Sequence, residues 1–113
     1  NKENGSQLVT GVTIVRSDFL KEHEAAVKLF IKDHKASAAY TSEHLDEAAE
    51  MVAALGIVEK APVAKKAMPA CNIVCITGDE MKSALSGYLS VLEAADAKSV
   101  GGQLPADDFY YLP

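Results

Sequence analysis

The chain has 113 residues, 49 % of them apolar, which suffices for one domain with a core and is too patterned for disorder. A net charge of −5, with Arg16 as the single arginine and no basic stripe, excludes a nucleic-acid surface. No run approaches the ~18 apolar residues a bilayer span needs, and no signal peptide is visible.

Residues 1–7 are polar, contain Gly5-Ser6 and read as a linker or hinge-proximal segment. Leu8 to Val15 is dense in β-branched residues with incomplete alternation, which predicts a strand covered on both faces. Ser17 or Asp18 can cap a short turn over Phe19 to Glu22.

Glu24 to about Thr41 has the period of a long helix, with Val27, Phe30, Ile31, His34, Ala38 and Tyr40 giving most of its apolar face. Leu45 to Leu55 predicts a second helix, with Gly56 past its end as a left-handed cap and Ile57 as the accompanying apolar contact. A short third helix is expected over Pro62 to Lys66, stopped by Pro69.

Asn72 to Ile76 reads as a second, weaker extended run. Thr77-Gly78-Asp79-Glu80 has the form of a capping box, in which Thr77 and Glu80 satisfy each other's backbone N–H groups. Behind it Met81, Ala84, Leu85, Tyr88, Leu89, Leu92 and Ala95 form one helical stripe. Gly101-Gly102 ends that pattern, Pro105 to Asp108 forms a turn, and Phe109-Tyr110-Tyr111 docks the tail. Glu22-His23 and Glu43-His44 each precede an acidic, alanine-rich stretch, which predicts two helix starts built from the same chemistry.

No catalytic constellation emerges. His23-Glu24 begins a zinc HExxH motif, but Val27 stands where the second histidine belongs. His23 and His44 read as solvated helix-end residues and His34 as partly buried. Cys71 and Cys75 would lie about 13 Å apart in an extended run, beyond the ~7 Å limit of a disulfide, and read as buried or half-buried thiols. No phosphate loop and no nucleophile elbow are present. The reading is therefore not an enzyme, with no catalytic residue, no metal and no cofactor. One awkward feature remains: Leu8 to Val15 asks for partner strands that this sequence does not obviously supply.

Several stretches, in order, carry a resemblance. They are Leu8-Val9-Thr10-Gly11-Val12 running into Val15-Arg16-Ser17-Asp18-Phe19-Leu20, then Glu43-His44 with Asp46-Glu47-Ala48-Ala49. Ala70 to Val74, Ile76 to Met81, Ser86 to Leu89, Lys98 to Gly102, Leu104-Pro105 and Asp107 to Tyr111 follow. Together they resemble the C-terminal part of bacterial solute-binding proteins of ABC importers, in the branch that takes up sulfonates, nitrate and thiamine-precursor pyrimidines. Glu24 and Leu45 stand where members often carry proline.

The resemblance implies an α/β class. The chain would be a mostly helical fragment, about four helices and one or two strands, of a two-lobed periplasmic-binding-protein fold. Residues 8–113 would be the C-terminal portion, with Leu8 to Val15 as the strand returning to the first lobe. Thr10 and Gly11 are the cleft-facing candidates; Thr10 either donates to a ligand or merely fills a strand position. The implied partners are a small-molecule solute, bound together with upstream sequence, and ABC permease subunits, at an extracytoplasmic location in the periplasm or on a cell-surface lipoprotein. Self-association through an unpaired strand edge is also expected. The alternative is a free-standing helical protein-interaction module.

Overall fold

The computed structural model describes residues 5–113. The part of the predicted linker formed by residues 1–4 lies outside that range. The α/β expectation is overturned: the described residues form helices only, with no strand and no sheet. Both runs predicted as strands, Leu8 to Val15 and Asn72 to Ile76, are irregular. Their β-branched composition is real, but a strand exists only against a backbone partner, and neither run has one among the described residues.

The chain divides into two compact units, residues 18–75 and residues 5–17 with Ile76–Pro113. In the first, α1 (Ser17–Glu22, with Ser17 at the unit boundary) leads into α2 (Glu24–Glu43), α3 (Leu45–Ala54) and α4 (Ala61–Ala67). A 3-10 turn over Met68–Ala70 follows.

The two Glu-His echoes are two copies of one joint. His23 (φ −133°, ψ 38°) and His44 (φ −128°, ψ 53°) take nearly the same non-helical conformation. Each donates its N–H to the helix before it, His23 to Phe19 at 2.8 Å and His44 to Tyr40 at 2.9 Å. Each carbonyl then accepts from the next helix, through Val27 at 3.1 Å and Ala48 at 2.9 Å. One residue closes one helix and opens the next, which serves some of the orphan groups at both ends.

Gly56 ends α3 as expected. Its φ is +72°, its N–H donates to Ala53, and the Ile57 N–H donates to Val52, which is the paired bond pattern of a Schellman cap. The chain can therefore reverse and lay α4 on α3. Ala48, Ala49, Ala64 and Met68 are buried together there, flanked by Tyr40, Leu45, Val52 and Val58. Small residues let the two helices approach closely, and Lys65 pairs with Asp46 at the rim.

In the second unit α5 (Gly78–Ala95) is the long element. Thr77 holds the N-cap position, but the expected capping box is absent because its side chain makes no cap bond. Gly78 enters the helix at φ +67°, and this left-handed first residue turns the backbone away from the geometry that aims a Thr77 hydroxyl at Glu80. Asp96 ends α5 and opens a 3-10 turn, Ala97–Val100, by accepting from the Lys98 N–H at 3.0 Å. Ser99 ties that turn back with hydroxyl bonds to the Asp96 and Leu92 carbonyls at 2.7 and 3.2 Å. The tail docks through Tyr110, which is buried, while Lys82 of α5 reaches both Asp107 (2.9 Å) and the face of the Tyr110 ring (5.8 Å).

Candidate functional site

The sequence candidates Thr10 and Gly11 lie with Val9 and Val12 against Leu85, Tyr88 and Leu89 of α5. Together they border an open hollow of about 260 Å³. Helical spacing explains the α5 side, since positions 85, 88 and 89 share one face. The lining carries no charge; its only side-chain polar groups are the hydroxyls of Thr10 and Tyr88. Such a surface can bury apolar or flat neutral groups; it offers two hydroxyls but no carboxylate, imidazole, thiol or cation.

A second groove follows the opposite face of α5. Ser83, Gly87 and Ser90 form its floor, and Gly5, Ser6 and Gln7 border it. Residues 5–7 thus lie on one side of α5 and residues 9–12 on the other, so the segment crosses the helix near Leu8, itself 75 % exposed. The helix is half-covered along most of its length and buries no residue.

The segment that crosses it is equally open. Ile14 is 83 % and Val12 59 % exposed, and among the described residues no backbone hydrogen bond involves residues 7–15. No charged residue and no proline lies between Gln7 and Val15. Natural edge strands guard themselves with such residues. This run has no guard.

The other candidate chemistry does not converge. Among the described residues no group of three or more His, Cys, Asp or Glu side chains could hold a metal. Each histidine instead packs on an aromatic ring four residues earlier: His23 on Phe19, His34 on Phe30 and His44 on Tyr40. His34, expected to be partly buried, is exposed, and so is Cys71; Cys75 is half-buried, as expected. Sequence reasoning missed the Tyr40–Glu47 hydrogen bond of 2.6 Å, which spans the α2–α3 joint. It also missed Leu85, Tyr88 and Leu89 as partners of residues 9–12, although the stripe that contains them was plain.

No family model, curated protein or solved structure matches the chain.

Proposed function

We propose that this chain is the C-terminal share of the solute-binding component of an ABC-type importer. In that role the binding protein captures a small molecule between two lobes outside the cytoplasmic membrane and delivers it to a membrane permease. One observation carries the reading: residues 8–15 are uncharged and mostly apolar, all but the half-buried Val9 are exposed, and none has a backbone hydrogen-bond partner among the described residues. A stable surface avoids that combination, because apolar side chains lose their burial and the backbone stays open to pairing. Both follow at once if the rest of a larger protein covers this segment and α5. The ordered likeness to importer binding proteins supports the same reading.

Ligand and lobe closure are then coupled. A solute stabilises the closed form only by the difference between its affinities for the closed and open forms. The present residues would add the neutral Thr10–Gly11 border and the packing behind it. A charged head group would have to meet residues outside the hollow, which has no cation to offer.

A free-standing helical interaction module is the second reading. The closed α3–α4 core favours it, since those residues pack without help from outside.

Thermal-shift titration separates the two. The gene product containing this chain is titrated with sulfonates, nitrate and aminopyrimidines, beside the 113-residue chain alone. The importer reading expects the longer product to gain several degrees with one solute class and the chain alone to gain nothing. A gene product that ends at these residues, melts cooperatively and responds to none of the solutes would sink it.

A further inference from the structure

We draw no further inference here: the strongest candidate, the uncharged run of residues 8–15 with its hollow against α5, belongs to the site already described, and nothing in the structure shows which segment or partner covers it.

Discussion

Tyr40 lies flat on His44, with ring centroids 4.4 Å apart and planes 17° from parallel. Its hydroxyl continues past the joint and donates to Glu47 Oε2 at 2.6 Å. One side chain thus braces the end of α2, the bend residue and the first turn of α3. The hydrogen bond to Glu47, then desolvation, then the Glu47 charge raise the Tyr40 phenol above its ordinary 10.0. A raised value means that the protonated phenol is the form the fold prefers. The contribution is whole below about pH 10 and is lost as pH rises through the folded value. In Glu47→Gln the phenolate absorbance of Tyr40 should appear at lower pH than in the parent chain. Identical tyrosine titration curves would show that the bond does not persist in solution.

Gly56→Ala tests the cap that turns α4 onto α3. No atom stands within 4 Å of the added methyl, so the cost comes from the left-handed backbone alone, about 1 kcal/mol. Urea unfolding should show the loss with an unchanged m-value. Met68→Ala removes the largest member of the small core below that cap and should cost at least about 2 kcal/mol.

These helical features were legible because each is written locally. Gly56-Ile57 encodes a Schellman cap within a few residues, and Pro62 marks a first turn. The irregular course of the two runs expected to be strands was not legible in the same way. Val12, Thr13 and Ile14 announce β-propensity, but pairing depends on a partner no sequence window contains, and the described chain provides none. The capping box failed because Gly78 supplied a conformation that the motif does not specify. Thr10 and Gly11 were reached through likeness to a family, whereas their neighbours across the hollow required the crossing of residues 5–12 over α5. Tyr40 and Glu47 stand seven apart with a bend between them, a separation no single helix period connects.

Gly87 offers a test whose sign depends on what covers α5. In the chain alone its position is ordinary helix with open space beside it, so Gly87→Ala should stabilise by about 0.5–1 kcal/mol. If, as proposed, a larger binding protein covers this face, the same methyl would meet the covering layer there, and the gain should vanish or reverse. Urea midpoints of both forms check this. An equal gain in both would mean that the Ser83–Gly87–Ser90 face stays open.

Ile14→Lys makes the same contrast at the exposed run. In the chain alone the change should alter stability by less than about 0.5 kcal/mol, because the side chain is already in solvent. It should also reduce self-association, since a lysine guards an open edge. In the larger binding protein that the proposal posits, burial of the charge should cost about 2 kcal/mol or more. Sedimentation velocity and thermal melting read the two effects.

Amide hydrogen exchange of residues 8–15 tests the central claim most directly. In the dilute 113-residue chain these amides should exchange at nearly unstructured rates, while those of α3 and α4 are protected. In the full gene product the same amides should slow by several orders of magnitude. Strong protection already present in the isolated monomer would contradict the account, because the segment would then have found its partners within this chain.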